Sequence, residues 1–189
     1  APLGGDAANI TIVENGGQDK ICYEFHQDGS QRKCLVIPDG AFRNPMTVEQ
    51  IQNQIVRMPL TGVVMDGSTV FNFAQKEVPI LVDSLTKMAE TTKEDIDWFL
   101  FHQPNKFMLQ KLAERIGVPF EKMPMDIVEK FGNSNSATIP TAITADLKEE
   151  MLNKESLCCL AGFGAGVAWA GIIMKMGNMD FCDTIISDL

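Results

Sequence analysis

The chain has 189 residues, 45% of them hydrophobic and 22% charged, with a net charge of -9 and a sequence pI near 4.7. That is apolar material for one substantial core, with no signature of disorder. A chain this acidic is a poor match for nucleic acid, whose phosphates draw affinity from clustered Lys and Arg. The five cysteines, Cys22, Cys34, Cys158, Cys159 and Cys182, are odd in number and irregularly spaced. Cys158-Cys159 sits inside an apolar stretch, so reduced thiols packed as small hydrophobes are expected, in a cytoplasmic protein.

At the N-terminus, Ala1-Pro2-Leu3-Gly4-Gly5 has neither a basic nor an apolar signal region, so no signal peptide is expected. The missing Met leads us to expect that the chain begins inside a longer product. Residues 7–13, 20–26 and 32–37 alternate apolar and polar side chains, with Asn15-Gly16-Gly17 and Asp28-Gly29-Ser30 between them, which predicts a strand meander. After Met65-Asp66-Gly67-Ser68, the spacing of Val70, Phe71, Ala74, Val78, Leu81, Val82, Leu85 and Met88 predicts a long amphipathic helix, capped by Ser68 or Thr69.

Trp98 to Phe101 is apolar without alternation, as in a strand buried on both faces, and Leu109, Leu112, Ala113 and Ile116 predict a helix closed by Gly117. His102 then stands at a strand's carboxyl end, where ligand sites of open α/β sheets gather. Residues 136–150 read as one helix, with Pro140 in its opening turn. Leu157 to Met174 carries no charge over 18 residues and approaches the length of a membrane span. Its four glycines fit two strands better, over 157–161 and 167–174, joined by a tight turn. No repeat or linker is visible. The expected organisation is one domain over 1–176 and a short acidic tail over 177–189.

Three motifs carry chemistry: His102-Gln103-Pro104-Asn105, Gly132-Asn133-Ser134-Asn135-Ser136 and Gly162-Phe163-Gly164-Ala165-Gly166. An imidazole, a carboxamide and the N–H groups of a tight turn are the parts that hold negative charge on a thioester oxygen. Taken singly, each has a plainer explanation. His102 could be an ordinary satisfied histidine, Asn133 a turn residue, and the glycine turn lacks the spacing of a dinucleotide loop. His26 with Cys22 has no second ligand pair, so no metal site is expected. Lys106, Lys111 and Arg115 share a helix that reads first as a solvated face and only second as a docking patch. Cys158 and Cys159 are poor nucleophiles, because an apolar strand suppresses thiolate formation.

Order and spacing add a resemblance. Met65-Asp66-Gly67 before a Val-Phe-x-Phe helix, Asp97-Trp98 leading into His102-Gln103-Pro104-Asn105, Phe131-Gly132-Asn133 and Gly162 to Gly166 followed by Trp169 together resemble the C-terminal half of a β-ketoacyl-acyl carrier protein synthase III. The likeness to this thiolase-superfamily condensing enzyme runs from about Gly5 to Met176. It implies an α/β chain, the C-terminal half of a five-layered αβαβα thiolase-like fold, usually homodimeric, with a nucleophilic cysteine on the missing N-terminal half. The implied reaction is decarboxylative Claisen condensation of an acyl-CoA primer with malonyl-acyl carrier protein. By the same resemblance His102 and Asn133 are catalytic, the Ala165 N–H completes an oxyanion hole where a glycine often stands, and Phe71 and Asn105 lie near bound CoA.

The helix bearing Lys106, Lys111 and Arg115 would offer basic contacts to the carrier protein. No cofactor beyond the thioester substrates, no metal, and no nucleic-acid or membrane partner is expected, and this chain alone is expected to be inactive. Two alternatives keep the fold: a non-catalytic partner subunit or fragment that completes a Cys-bearing chain, or a condensing enzyme of secondary metabolism or of hydroxymethylglutaryl-CoA type. Half of a two-half core would expose more apolar surface than soluble monomers tolerate, so aggregation or tight pairing is expected.

Overall fold

A computed structural model of the chain describes residues 4–14, 17, 19–38, 42, 45, 47–49, 51, 52 and 63–187. Its centre is a four-stranded sheet in the order β1 (Cys22–Gln27), β6 (Ala168–Gly177), β5 (Glu155–Gly164), β4 (Trp98–Phe101). β4 and β5 run parallel, with Trp98 opposite Cys158 and Phe101 opposite Ala161. β5 and β6 form a long antiparallel hairpin, and β1 closes the far edge antiparallel to β6, from Cys22↔Ile173 to Gln27↔Ala168. The uncharged stretch is therefore two strands, and among the described residues no helix is long and apolar enough to cross a membrane.

Helix α1 (Gly67–Ala89) lays Phe73, Ala74, Val78, Leu81, Val82 and Leu85 on one face of the sheet. Helix α2 (Lys106–Ile116) adds Leu109, Leu112 and Ala113 to the same layer. Gly171 of β6 lies directly beneath α1, where an added Cβ would come within 2.7 Å of Leu85 Cδ1 and 3.0 Å of Leu81 Cδ2. The opposite face of β4 and β5 is covered by α4 (Thr138–Asp146) and α5 (Lys148–Asn153), through Ile143, Leu147 and Met151 packed with Leu100 and Cys158. A short α3 (Ile127–Phe131) precedes them. β4 is thus buried on both faces, Phe99 and Phe101 toward α1 and α2 and Leu100 toward α4 and α5, as its unbroken apolar run implied.

Several expectations need correction. Residues 7–13 form no strand, and Ile10, Ile12 and Val13 are exposed. Alternation marks a strand only where a sheet edge is open to receive it. The segment instead runs beside the Asn133 turn, Gly5 N–H donating to the Asn133 carbonyl at 3.1 Å and the Asn9 amide to the Ala137 carbonyl at 3.2 Å. The meander is also absent: β2 (Leu35–Val36) pairs with β3 (Val64–Met65), away from β1.

After Asp28 the chain winds into a 3-10 turn, Gly29–Gln31, with the Asp28 carboxylate accepting from Ser30 N–H at 2.8 Å, and this coil does not reverse the strand as a two-residue hairpin would. Asn15 and Gly16, of the other proposed turn, lie outside the described residues. The cap of α1 is Asp66, which accepts from the Thr69 N–H at 3.1 Å and its hydroxyl at 2.7 Å, where Ser68 or Thr69 was expected. The single helix over 136–150 is two. Buried Leu147 leaves helical geometry at φ -121°, ψ 20°, and the break brings α5 onto β5 and β6.

Residues 178–187 lie across the outer helices. Met179 N–H donates to the Met151 carbonyl at 2.9 Å, Lys148 pairs with Asp183 at 3.0 Å, the Thr184 hydroxyl meets that of Thr144 at 2.7 Å, and Cys182 is buried. One part of the sheet stays bare. On β1 the residues alternating with buried Cys22 point away from α1, and Ile21, Tyr23 and Phe25 are exposed at 53%, 71% and 68%.

Candidate active site

The parallel pairing of β4 with β5 puts the ends of both strands at one pole of the molecule. His102 is the first residue past β4, and its N–H donates to the Ala161 carbonyl at 2.8 Å, so the backbone is held by the sheet until the imidazole departs from it. Gln103 is fully buried, its amide donating to the Phe101 and Pro124 carbonyls at 3.0 and 2.8 Å, and it locks the chain as it leaves the strand. Asn105 caps α2, its Oδ1 accepting from Met108 N–H at 2.8 Å, which leaves its amide N–H2 as the uncommitted end.

The imidazole is half-buried and packs edge-on to Phe163, with ring centres 5.6 Å apart at 79°. Its Nδ1 lies 2.8 Å from the Thr138 hydroxyl. Burial pushes its pKa below the usual histidine value, only partly opposed by the Asn135 backbone beside it, so the neutral ring is favoured.

Asn133 stands at the mouth of the turn that leads to Thr138. Gly132 precedes it at φ +71°, a conformation open to glycine, and the backbone of Gly4 and Gly5 presses so close that a Cβ on Gly132 would lie 2.8 Å from the Gly4 carbonyl. The Asn133 Oδ1 accepts from Asn135 N–H at 2.9 Å. That bond makes Asn133 a turn residue, as its sequence context allowed. It also commits the oxygen of the carboxamide and leaves the N–H2 as the free end. A single segment, residues 133–138, thus holds the Asn133 amide at one end and the His102 ring at the other.

Ala165 is exposed in the turn between β5 and β6, two residues beyond the Phe163 that packs on His102. Phe71 stacks on Phe107 with centres 5.8 Å apart at 19°, and Phe107 is 60% exposed, which makes an aromatic ledge beside the Asn105 cap. The basic helix face is largely neutralised. Lys106 meets Asp126 at 2.7 Å and Glu129 at 3.6 Å, and Lys111 meets Glu114 at 2.6 Å, while Arg115 is exposed.

A broad depression of about 550 Å³ lined by Trp98, Lys106, Gln110, Phe120, Asp126 and Asp146 includes none of His102, Asn133, Phe71 or Ala165. Its walls hold paired ions, so it is a surface hollow beside the site rather than the site. Thr138, Phe163 and Gln103 were the neighbours that sequence reasoning passed over. Each lay within or next to a quoted motif, but only the fold reveals which ring or carbonyl it faces.

All five cysteines are free and buried. Burial pushes the Cys158 and Cys159 thiols up to about 12, so neither offers a thiolate at neutral pH. His26 pairs with Glu24 at 3.0 Å and stacks on Trp169, and no cluster of metal-ligating side chains occurs among the described residues.

Comparison with known proteins bears on the fold and its kin. Residues 86–176 match the family described as 3-oxoacyl-[acyl-carrier-protein (ACP)] synthase III C terminal. A curated β-ketoacyl-[acyl-carrier-protein] synthase III from Synechocystis sp. is 32% identical over 174 residues, covering 92% of this chain and 52% of that protein. A crystal structure of 3-oxoacyl-(acyl-carrier protein) synthase from Burkholderia xenovorans LB400 aligns with a TM-score of 0.76 at 34% identity, over 87% of this chain and 46% of that one. A 2.1 Å structure of a 3-oxoacyl-(acyl-carrier-protein) synthase III aligns at 0.73 and 31% identity, over 86% of this chain and 50% of that one. The chain spans about half the length of the curated relatives it matches.

Proposed function

We propose, on the premise that this thiolase-like α/β chain belongs with the synthase III family as its C-terminal half, that it supplies the charge-stabilising side of a condensing active site. In this reading an acyl group from an acyl-CoA primer is carried on a cysteine of a second half, on the same or another chain. Malonyl-acyl carrier protein then loses CO2, and the resulting enolate attacks the acyl thioester. His102 and Asn133 stabilise the enolate oxygen, and the Ala165 N–H stabilises the tetrahedral oxyanion.

The observation that carries this reading is the shared segment 133–138. It takes up the Asn133 oxygen, leaving N–H groups free, and braces the His102 ring at the carboxyl end of a parallel strand. The ledge of Phe71 and Phe107 with the Asn105 amide N–H2 suits the mixed apolar and polar arm of CoA. The bare apolar face of β1 is where we place the Cys-bearing half. Because Lys106 and Lys111 already face carboxylates, carrier-protein docking on α2 would rest on Arg115 or on rearrangement of those pairs.

In the enzyme assembled with its Cys-bearing half, His102→Ala and Asn133→Ala should each slow malonyl decarboxylation by about 10²- to 10³-fold, the usual loss on removing one oxyanion donor. Transfer of the acyl group onto the cysteine should continue. Decarboxylation that is unchanged in either variant would refute the assignment.

A further inference from the structure

Thr138 is fully buried at the first residue of α4, and its hydroxyl oxygen has three polar neighbours. These are the Asn135 carbonyl at 2.8 Å, the Gln103 N–H at 3.3 Å and His102 Nδ1 at 2.8 Å. A hydroxyl offers one proton and two lone pairs. The carbonyl can only accept, so it takes the proton. The Gln103 N–H can only donate, so it takes one lone pair. What remains for Nδ1 is the second lone pair, and a ring nitrogen facing a lone pair must carry a proton.

We propose that Thr138 is a positioning residue that fixes His102 as the Nδ1–H tautomer and leaves Nε2 unprotonated in the neutral ring. The consequence for chemistry rests on the functional reading of His102 given above. Neutral His102 meets a thioester oxygen with a lone pair and becomes a donor there only after Nε2 takes a proton from solvent. The resulting imidazolium holds Thr138 with one N–H and the enolate oxygen with the other, and the negative charge of the enolate offsets the cost of charging a half-buried ring. Of the two side chains, Asn133 is then the neutral donor and His102 the donor that follows proton uptake.

The proton's position is directly observable. The chain holds two histidines, His26 and His102, so 15N-histidine labelling with long-range proton-nitrogen correlation resolves both rings. The His102 pattern should be that of Nδ1–H. An Nε2–H pattern in the unaltered protein overturns the proposal without need of any variant. Thr138→Ser should keep both the tautomer and the decarboxylation rate within about twofold. Thr138→Val should release the ring to Nε2–H or to a mixture, and kcat should change by more than the twofold allowed to Thr138→Ser. A Thr138→Val protein that folds and retains Nδ1–H also overturns it. If His102→Ala leaves decarboxylation intact while the Nδ1–H signal persists in the parent, the condensing role falls and the hold of Thr138 on the ring stands.

Discussion

Gly5→Ala is a one-methyl change far from the chemistry in sequence that should reach Asn133. A Cβ built on Gly5 lies 1.8 Å from the Phe131 carbonyl oxygen, 2.9 Å from the Phe131 carbonyl carbon and 3.0 Å from Gly132 Cα. All three are backbone atoms, so no rotamer can yield, and either residues 4–5 leave the groove or residues 131–133 shift. Leaving forfeits the 3.1 Å bond from Gly5 N–H to the Asn133 carbonyl, about 0.5–1.5 kcal/mol. Staying means overpacking, about 1–3 kcal/mol. The chain takes the cheaper route, so chemical denaturation should show a loss of about 0.5–1.5 kcal/mol, a fall in Tm of about 1–6 °C for a chain of this size at about 2–4 °C per kcal/mol.

Gly4→Ala is the matched control, because a Cβ there meets nothing within 4 Å, and its change should stay within about 0.5 kcal/mol. In the assembled enzyme Gly5→Ala should depress decarboxylation, since displacing a positioned group by about 1 Å can lower rate about 10²-fold. Equal stability of the two alanine variants would show that the glycine contact does not hold the Asn133 turn.

Other outcomes follow from burial and charge. The His102 pKa lies below 6.5 in the folded chain, so the unfolded chain binds more protons as pH drops. Stability should therefore fall as pH is lowered from about 6.5 through the folded pKa and then level off. Urea midpoints at pH 7.5 and 5 should separate less in His102→Gln than in the parent, and an equal separation would contradict the lowered pKa. With all five cysteines buried and two thiols held near 12, a thiol reagent at pH 8 should leave the native chain unlabelled and modify five thiols after unfolding; rapid native labelling of Cys158 or Cys159 would refute this. Replacing Tyr23 and Phe25 by Thr removes two exposed aromatics from the bare face of β1. Each contributes about 1.5–3 kcal/mol once covered, so sedimentation should shift toward monomer with the circular dichroism unchanged, and undiminished association would place the contact elsewhere.

What the sequence made legible follows a physical division. β4, α2 with its Gly117 cap and the β5–β6 strands were readable because each is a local pattern: an unbroken apolar run, a three-and-four spacing, glycines inconsistent with a helix. The N-terminal meander was misread because alternation says which residues could share a face but not which edge is free, and β1 finds its partner at the far end of the chain. The break at Leu147 was hidden because every residue over 136–150 tolerates a helix, and only the buried position of Leu147 between two layers ends it. At the site, it was the family resemblance carried by the motifs that singled out His102 and Asn133 as a pair, since each alone had a plainer reading. The proton bookkeeping around Thr138, the closure of Gly5 on Phe131 and the pairing of Lys106 with Asp126 all depend on neighbours distant in sequence.

The edge pairing of Cys22 with Ile173 sets an order of events for a chain made from its N-terminus. β1 emerges from the ribosome early and waits, its backbone amides unmatched and Tyr23 and Phe25 bare, until residues 168–177 arrive to zip against it. Long-range pairing of this kind is slow, and during that interval the waiting strand is an adhesive edge that a chaperone, or a neighbouring nascent chain, can reach first.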